Sequence, residues 1–378
     1  MKEESEFPDG QNEQVGSPGS DNIDVLDAYW RNWNDRTQIL PGITGIIIDK
    51  INQVCLEHPD REAVRFKEIS LSYKEIYERS NQMAHYLIAS GVLSGTVVGI
   101  AMERGIDLII SILGVLKSGA AFLPLDPQYA PERIEYMVAN SEAQWLLTSS
   151  QFKGKLQTKT REICVNDISA VLSGSPVSLP KVPVTAASLV YILYTSGSTG
   201  KPKGVMIANK SLVNYISWAV DYYLKGARGV FPLYTSISFD LTITSIFSPL
   251  VSGNLLKIYE EEEPATLLEQ IFTDTQVDTI KLTPSHLRLV RESNRIHESM
   301  PGHRLRLIVG GEDLETSLAK DINELCRGNV EIYNEYGPTE ATVGCMIHEY
   351  NPAEQFPSVP IGVPIANARI YLLDDAMR

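Results

Sequence analysis

The eleven residues from 194 to 204 read Tyr194-Thr195-Ser196-Gly197-Ser198-Thr199-Gly200-Lys201-Pro202-Lys203-Gly204. This loop contains three glycines, four serine or threonine hydroxyls and two lysines. Glycines let backbone N–H groups approach an anion closely, hydroxyls donate hydrogen bonds to its oxygens, and lysines neutralise its charge. Strands are predicted on both sides, over 190–194 and 205–208. The composition therefore predicts a loop that binds a triphosphate; a flexible hairpin turn is the alternative.

Two common phosphate-binding motifs are excluded by the residues around Lys201. A Walker A loop requires Gly-Lys followed by Ser or Thr, whereas Gly200-Lys201 is followed here by Pro202. A dinucleotide-binding fingerprint opens a helix, and no helix is predicted within this loop. The pattern therefore argues against both a P-loop NTPase and a dinucleotide-binding domain.

Around this loop, apolar runs typical of buried strands alternate with helical patterns from about residue 40 onward. A capping box at Ser72 and Glu75 starts a helix that runs to Gly91, and Asn209 is expected to cap a helix over Ser211 to Tyr222. This alternation predicts an α/β protein with two mostly parallel sheets sandwiched by helices, divided near residue 180. The other predicted helices include 106–118, 131–140, 265–272 and 314–326, and the other predicted strands are 96–102, 122–125, 144–149, 255–259, 279–282, 305–309 and 330–333.

Composition and charge limit the possible partners. The chain has 378 residues, of which 43% are hydrophobic, and a formal net charge of −14. A charge of this sign argues against binding to nucleic acid or to an anionic membrane, although local groups can still hold a nucleotide. The four cysteines form no C-x-x-C pair, and the six histidines lack metal-ligand spacing. Together with the absence of an apolar signal core near Met1, these features predict a soluble cytoplasmic protein.

The ends of the chain differ from its middle. Residues 1–22 are predicted to be a disordered acidic tail, and 23–38 a linker helix. Residues 39–180 are expected to form a first α/β subdomain, and 181–360 a second one with the phosphate loop. Residues 361–378 would begin a third, truncated subdomain, since a strand is predicted over Ala368 to Leu373 with no closing helix after it.

The phosphate loop resembles the signature of adenylate-forming enzymes, and four further motifs resemble those of nonribosomal peptide synthetase adenylation domains. The resemblance extends over about residues 39–378, with the motifs in the expected order. It implies the large N-terminal subdomain of such an enzyme. The further motifs are Leu71-Ser72-Tyr73-Lys74-Glu75-Ile76, the segment 116–127 that contains Pro124-Leu125-Asp126-Pro127, Phe239-Asp240 with the following helix, and Asn334-Glu335-Tyr336-Gly337-Pro338-Thr339-Glu340.

The resemblance also implies a nucleotide site. ATP and an amino acid would give aminoacyl-AMP and pyrophosphate, by attack of the amino-acid carboxylate on the α-phosphorus. Thr339 would donate to the α-phosphate, Glu340 would bind Mg²⁺, Tyr336 would stack on adenine and Asn334 would bond the adenine amino group. Lys203, Thr339 and Glu340 are the implied catalytic residues. The implied ATP-binding residues are Thr195, Ser196, Gly197, Ser198, Thr199, Gly200, Lys203, Gly311, Asn334, Tyr336 and Thr339.

An amino-acid pocket follows from the same resemblance. Asp240 would bind the substrate ammonium, although this residue alone could instead cap the helix through Thr244 to Leu250. Lys281 and Glu335 suit a carboxamide, because one can donate to its carbonyl and the other can accept from its NH₂ group. L-asparagine is therefore the expected substrate; a structural Lys281–Glu335 pair that never meets substrate is the alternative. The implied lining is Phe239, Asp240, Leu241, Thr244, Lys281, Ile308, Gly310, Glu335, Val343 and Gly344.

Further partners and two competing functions complete the hypothesis. The resemblance implies a peptidyl carrier protein with a phosphopantetheine thiol and a neighbouring condensation domain, in secondary-metabolite biosynthesis. It also implies further segments with a catalytic lysine beyond residue 378, so this chain is expected to adenylate poorly alone. The alternatives are an acyl-CoA or aryl-acid ligase fragment, which would give Asp240 no ammonium partner, and a non-catalytic nucleotide- or amino-acid-binding module.

Overall fold

The computed structural model describes residues 44–156, 158–196, 201–300 and 302–374. Its strands lie in three sheets. In chain order they are β1 (Glu62–Phe66), β2 (Ile69–Ser72), β3 (Val97–Ala101), β4 (Ala121–Pro124), β5 (Trp145–Thr148), β6 (Arg161–Cys164), β7 (Leu189–Thr195), β8 (Lys203–Ala208), β9 (Val230–Leu233), β10 (Leu255–Ile258), β11 (Thr279–Leu282), β12 (Leu305–Gly310), β13 (Val330–Tyr336), β14 (Met346–Glu349) and β15 (Val363–Pro364).

Helices separate most of these strands. In chain order they are α1 (Ile47–Glu57), α2 (Tyr73–Ser90), α3 (Ile106–Lys117), α4 (Pro131–Asn140), α5 (Ser169–Ser173), α6 (Asn209–Ala219), α7 (Leu241–Ser252), α8 (Pro264–Thr273), α9 (Pro284–Glu292), α10 (Asn294–Ser299) and α11 (Thr316–Leu325). The predicted capping box at Ser72 and Glu75 is present, and Gly91 ends α2 in a left-handed conformation. The predicted α/β class is therefore confirmed.

The strands form three sheets where two were expected. The first has the order β6-β5-β3-β4-β7-β8, and the second, β2-β1-β10-β9, joins residues 62–72 to residues 230–258. The third has the order β11-β12-β13-β14-β15, in which the first three strands are parallel. Since β7 and β8 belong to the first sheet, the sheets do not divide at residue 180. The subdomain boundaries themselves stay a prediction.

Helix α3 lies in the centre of the apolar core. Eleven of its twelve residues are buried, including Ser111 and Lys117. Gly114 permits close packing against α2, because a Cβ atom at this position would lie 2.3 Å from Cγ of Met83. The longest apolar run of the sequence is thus a buried core helix. No helix among the described residues has the length and apolarity that crossing a bilayer requires.

Two local predictions are wrong. Asn209 does not cap the following helix; its side-chain oxygen accepts a hydrogen bond from the backbone N–H of Ile47 at 3.0 Å, and Ala208 is the N-cap. That helix then continues as a π-helical turn over Val220–Leu224. The predicted strand over 368–373 is absent from the structure, where this segment is irregular and Tyr371, Leu372 and Leu373 are exposed. The predicted tail at 1–22 and the linker helix at 23–38 lie outside the described residues.

The third sheet and helix α7 position the candidate site. Lys281, Gly310 and Glu335 lie at or near the carboxyl ends of the parallel strands β11, β12 and β13, the edge where open α/β sheets bind ligands. Helix α7 begins immediately after Asp240. Its far end is tied to α2, because the buried Tyr73 hydroxyl lies 2.9 Å from the backbone oxygen of Pro249 and 2.7 Å from that of Asn254, just beyond α7.

A buried lysine should make stability depend on pH. Lys117 donates to Asn81 Oδ1 at 2.8 Å and lies over the Tyr77 ring, and burial lowers the pKa of Lys117 to about 7. Between that value and the usual lysine pKa of about 10.4, the unfolded chain binds more protons, so the free energy of unfolding should rise with pH. The expected slope from this residue is at most about 1.4 kcal/mol per pH unit.

Urea unfolding of the wild-type chain and Lys117→Met at pH 6 to 10 measures this effect. As pH rises, the free energy of unfolding of the wild type should increase relative to that of Lys117→Met. Lys74→Met changes an exposed lysine at the start of the neighbouring helix α2 and should give a difference independent of pH. A pH-independent difference for Lys117→Met would show that this lysine titrates normally.

Candidate active site

The predicted phosphate loop connects two antiparallel strands. Thr195 at the end of β7 lies opposite Lys203 at the start of β8, and both Ser196 and Lys203 are exposed. The Tyr136 hydroxyl donates to the backbone oxygen of Pro202 at 3.2 Å and holds the returning side of the loop. Gly197, Ser198, Thr199 and Gly200 lie outside the described residues. The ends of the loop are thus fixed by the β7–β8 hairpin.

A tight turn beside β8 contains two further predicted residues. The 3₁₀ turn Thr339–Ala341 packs near β8, with Thr339 half-buried and Glu340 exposed. The chain doubles back so closely that a Cβ atom on Gly337 would lie 2.7 Å from Cα of Gly344. Thr342 and Val343 have φ angles of 65° and 68°, a strained conformation for β-branched residues. Strain of this kind is concentrated at binding sites in many proteins.

Asp240 joins this turn to helix α7. The Thr339 hydroxyl donates to Asp240 Oδ2 at 2.7 Å, although the two residues are 99 positions apart. Asp240 stands at the N-cap of α7, but its side chain makes no capping hydrogen bond. The alternative that this carboxylate is a helix cap is therefore wrong. Burial raises the pKa of the Asp240 carboxyl above its usual range, while Thr339 and Lys281 partly oppose that shift.

Lys281 and Glu335 form a buried ion pair. Lys281 Nζ donates to Glu335 Oε1, and the two side chains are 4% and 1% exposed. The Tyr215 hydroxyl lies 2.9 Å from Glu335 Oε2 and 3.2 Å from Oε1, and the Tyr223 hydroxyl also donates to Oε2. A buried charge requires such partners, because leaving water costs several kcal/mol per ion.

Glycines make room for this pair. A Cβ atom on Gly344 would lie 2.4 Å from Glu335 Cδ, and one on Gly310 would lie 2.6 Å from the Glu335 backbone oxygen. Ile308 is fully buried and lies opposite Lys281 in the parallel sheet. Val343 is buried on the tight turn. Three predicted lining residues, Gly310, Gly344 and Ile308, therefore lie next to the ion pair.

Thr244 links the ion pair to helix α7. It is fully buried, and its Oγ1 lies 2.7 Å from the Tyr215 hydroxyl. Residues four apart share one face of a helix, which places Thr244 one turn beyond Asp240 on the same side. Asp240, Thr244 and the ion pair are thus parts of one connected cluster.

Two exposed aromatic rings lie at the edge of this cluster. Phe239 is 54% exposed and Tyr336 is 50% exposed, which is unusual for large rings and leaves their surfaces available to a ligand. Asn334 is buried, and its NH₂ group donates to the backbone oxygens of Val359 and Pro360 at 2.8 and 3.0 Å. Gly311 follows β12 with a φ of 88°, which favours glycine.

A cleft of about 770 Å³ is lined by Phe239 and Leu241 among the predicted residues, together with Thr283 and His286. Its lining also contains the carboxylates of Asp126, Glu261, Glu262, Glu263 and Glu312. Arg104 is buried there and lies 3.6 Å from a carboxylate oxygen of Glu261. The cleft is large enough for a small-molecule ligand.

The carboxylates in the described ranges do not form a metal cage. No group of three or more His, Cys, Asp or Glu side chains in those ranges is placed to hold a metal ion. Mg²⁺ usually takes one or two protein carboxylates and completes its shell with phosphate oxygens and water. Glu340, an exposed carboxylate next to Thr339, suits a Mg²⁺ ion that takes most of its ligands from phosphate and water.

Two tyrosines of the cluster were not predicted. Tyr215 and Tyr223 are both 1% exposed and both donate to Glu335. Tyr215 lies in α6, and Tyr223 lies in the π-helical turn that follows it. Aromatic residues in an apolar helix usually indicate core packing. Nothing in the sequence pattern pointed to their partner, which lies more than 100 positions away.

Comparisons with known proteins show what this chain resembles in sequence and fold. A family model described as AMP-binding enzyme matches residues 51–378. Bacitracin synthase 3 of Bacillus licheniformis is 44% identical over 360 residues, which is 93% of this chain but 6% of that protein. A crystal structure of the nonribosomal peptide synthetase FmoA3 superposes with a TM-score of 0.82 at 22% identity, over 93% of this chain and 37% of that one.

A second solved structure gives a similar result. It is holo-AB3403, described as a four-domain nonribosomal peptide synthetase bound to AMP and glycine. The TM-score is 0.75 at 25% identity, over 89% of this chain and 24% of that chain. This chain therefore spans less than half of the length of each of these three proteins.

The buried ion pair should be essential for stability. Lys281→Met leaves the Glu335 carboxylate buried without its cation, and breaking a buried pair in this way costs about 3–5 kcal/mol of unfolding free energy. The double variant Lys281→Met/Glu335→Gln removes both charges and should recover a large part of that loss. Urea unfolding of both variants and the wild type measures the two effects.

Lys153→Met supplies the matched control. Lys153 pairs with Asp167 at 2.6 Å, but both side chains are about half exposed. Exposed pairs contribute about 0–1 kcal/mol, so this variant should unfold close to the wild type. If Lys281→Met lost no more stability than Lys153→Met, the Lys281–Glu335 pair would not be structurally important.

Proposed function

We propose that this chain, which belongs to the AMP-binding enzyme family, activates an amino acid with ATP to form aminoacyl-AMP and pyrophosphate. The observation that carries the proposal is the 2.7 Å hydrogen bond from Thr339 to Asp240. It brings the residue proposed to hold the substrate ammonium into contact with the residue proposed to hold the α-phosphate. An amino acid bound through its ammonium at Asp240 would present its carboxylate beside Thr339.

In the proposed reaction, a carboxylate oxygen of the amino acid attacks the α-phosphorus of ATP. The bond from that phosphorus to the bridging oxygen breaks, and pyrophosphate leaves with the bonding electron pair. Positioning and charge stabilisation supply most of the catalysis in phosphoryl chemistry of this kind. Here Asp240 orients the nucleophile, and Lys203 neutralises phosphate charge. The single hydroxyl proton of Thr339 would turn from Asp240 to the α-phosphate once the substrate ammonium bonds Asp240.

The remaining nucleotide contacts are proposed for residues around the same edge. The phosphate loop from Thr195 to Gly200 would hold the β- and γ-phosphates, while Tyr336 and Gly311 would line the adenine site. Asn334 could accept from the adenine amino group through Oδ1, since its NH₂ group is already bonded within the chain. Glu340 would hold Mg²⁺, which neutralises charge on the phosphates of the nucleotide when bound.

The product would pass to a thiol. We propose that the partner is a phosphopantetheine-bearing carrier protein, with a condensation domain consuming the loaded amino acid. The relatives support this, because bacitracin synthase 3 is named as a synthase and AB3403 is described as a four-domain synthetase. This chain corresponds to a small part of each of them.

The proposed amino acid is L-asparagine. The buried Lys281–Glu335 pair is neutral as a unit, so an uncharged polar side chain leaves no charge without a partner. An aspartate side chain would place a second carboxylate near Glu335, a like-charge contact that costs several kcal/mol. Glutamine adds one methylene, which a pocket discriminates by about 1–3 kcal/mol.

A panel of non-hydrolysable sulfamoyl analogues of aminoacyl-AMP tests the substrate. Titration calorimetry on the 378-residue chain should give the tightest binding for the asparaginyl analogue, followed by the glutaminyl analogue. The aspartyl analogue should bind more weakly because of charge repulsion at Glu335. An aromatic or aliphatic aminoacyl analogue in first place would overturn asparagine as substrate and leave the family assignment intact.

The role of Asp240 predicts a pH-dependent affinity. Asp240 must be ionised to bind an ammonium group, and its pKa is raised by burial, so affinity for the asparaginyl analogue should fall as pH decreases through that raised pKa. Asp240→Asn should weaken binding about 10- to 100-fold, as expected for a lost charged hydrogen bond, and should remove this pH dependence. Calorimetry between pH 4 and 8 measures both effects.

An analogue that lacks the α-amino group is the matched ligand control. It should bind the wild-type chain and Asp240→Asn with similar affinity, because it has no ammonium to lose. Asp60→Asn, an exposed change elsewhere in the chain, should behave like the wild type. Equal weakening of both analogues by Asp240→Asn would assign Asp240 a role other than ammonium binding.

A further inference from the structure

The motif Pro124-Leu125-Asp126-Pro127 has no role in the proposed reaction. In the structure it lies at the carboxyl end of the buried strand β4. Asp126 Oδ1 accepts a hydrogen bond from the backbone N–H of Gln128 at 2.9 Å. The other carboxylate oxygen, Oδ2, accepts from the Ser236 hydroxyl at 2.7 Å, across 110 positions. Asp126 therefore joins the end of a buried strand to the segment that precedes helix α7.

Ser236 holds the turn that leads into helix α7. Its hydroxyl oxygen also accepts from the backbone N–H of Ser238 at 3.3 Å. Its backbone oxygen accepts from the N–H of Phe239 at 3.2 Å and from the Thr242 hydroxyl at 2.8 Å. One serine is thus bonded to its own turn and to the first turn of the helix. Because these bonds meet at Ser236, its hydrogen bond to Asp126 fixes the position of the whole turn.

Backbone oxygens of this turn take the place of a side-chain cap on α7. The Phe239 oxygen accepts from the N–H of Thr242 at 3.1 Å, and the Asp240 oxygen accepts from the N–H of Ile243 at 2.9 Å. These N–H groups, at the second and third helical positions, are the ones that an N-cap side chain normally bonds. Asp240 also has φ −65° and ψ −26°, whereas N-cap residues normally have an extended backbone. The helix therefore does not use the Asp240 carboxylate.

An aspartate at the start of a helix has a strong competing tendency. Aspartate is among the preferred N-cap residues, and the positive end of the helix dipole attracts a carboxylate. If the turn before α7 were released, the Asp240 backbone would be free to become extended and the carboxylate to bond the first N–H groups of the helix. A carboxylate bonded in that way would be withdrawn from a ligand.

We propose that Asp126 and Ser236 are positioning residues, whose hydrogen bond keeps the Asp240 carboxylate out of the α7 cap and available to the substrate ammonium. This inference rests on the proposed function, in which Asp240 binds that ammonium. Both positioning residues line the cleft of about 770 Å³ together with Phe239, so their hydrogen bond lies within the candidate site. Asp126 acts through the turn and does not itself contact the amino group.

Ser236→Ala tests this role, because it removes the donor to Asp126 and leaves the backbone oxygen of residue 236 in place. The asparaginyl sulfamoyl analogue should bind about tenfold more weakly, as expected for one lost hydrogen bond to a charged group. The counterpart that lacks the α-amino group has no ammonium for Asp240, so its affinity should not change. Titration calorimetry on the 378-residue chain measures the ratio of the two dissociation constants, which should fall about tenfold.

Ser238→Ala is the matched control. Ser238 lies on the same turn and is 8% exposed, but its hydroxyl has no hydrogen-bond partner among the described residues. The ratio should be unchanged in this variant, and Ser236→Thr, which keeps a hydroxyl, should also retain the wild-type ratio. If Ser236→Ala weakened both analogues equally, or changed the ratio no more than Ser238→Ala, Ser236 would have only a structural role and the inference would be wrong.

Asp126→Ala keeps the test valid if Ser236→Ala fails to fold. It removes the acceptor of the same hydrogen bond, so the ratio should fall as in Ser236→Ala, and the double variant should show no further fall. Additive effects of the two substitutions would show that Asp126 acts independently of Ser236 and would overturn the inference. Equal affinity of the wild-type chain for both analogues would overturn the proposed role of Asp240, whereas a wild-type preference for the amino analogue that both single variants retain would overturn the positioning role alone.

Discussion

The burial of the Glu335 carboxylate is the constraint on which the pocket depends. A charge with 1% of its side chain exposed must have a cation and hydrogen-bond donors, and it has Lys281, Tyr215 and Tyr223. These partners come from strand β11, helix α6 and the π-helical turn after that helix. One desolvated charge thus fixes the relative positions of several elements. Removing one partner of such a pair is costly because it leaves the other charge buried without compensation.

The same constraint shapes the backbone around the pair. Gly344 must lack a side chain because the Glu335 side chain occupies the position where a Cβ atom would lie. The preceding residues, Thr342 and Val343, adopt positive φ angles that β-branched residues rarely accept. The backbone N–H of Cys345 donates to the Tyr336 oxygen at 2.9 Å and closes this turn. The strained φ angles of Thr342 and Val343 are therefore tolerated in a turn that connects Thr339 to Gly344 beside Glu335.

The fold brings two chemically different half-sites into contact. Asp240 precedes a helix, Thr339 lies on a turn after β13, and the β7–β8 hairpin carries the phosphate loop. Their connection through the Thr339–Asp240 hydrogen bond means that groups suited to an ammonium and to a phosphate are adjacent. In the proposed function the amino acid at Asp240 and the ATP phosphate at Thr339 must lie side by side, because the new bond joins the amino-acid carboxylate to the α-phosphorus.

The sequence alone determined the fold class and most of the regular elements. The Ser72–Glu75 capping box, the helix predicted over 106–118 and the strands predicted over 279–282 and 330–333 follow from local patterns, because caps and apolar periodicity act over a few residues. The last strand continues to Tyr336 in the structure. The motifs also indicated Asp240, Lys281 and Glu335 as members of one pocket. The family match confirms the class of enzyme that those motifs suggested.

Tertiary structure decided the partners of those residues. Asn209 looked like a helix cap, yet its side chain bonds Ile47, 162 positions away. Tyr215 lies within a predicted helix that gave no sign of a partner, and it donates to Glu335 across 120 positions. The number of sheets likewise depended on the pairing of β1 with β10. Hydrogen-bond partners that are distant in sequence leave no local pattern, because the geometry that joins them exists only after the chain has folded.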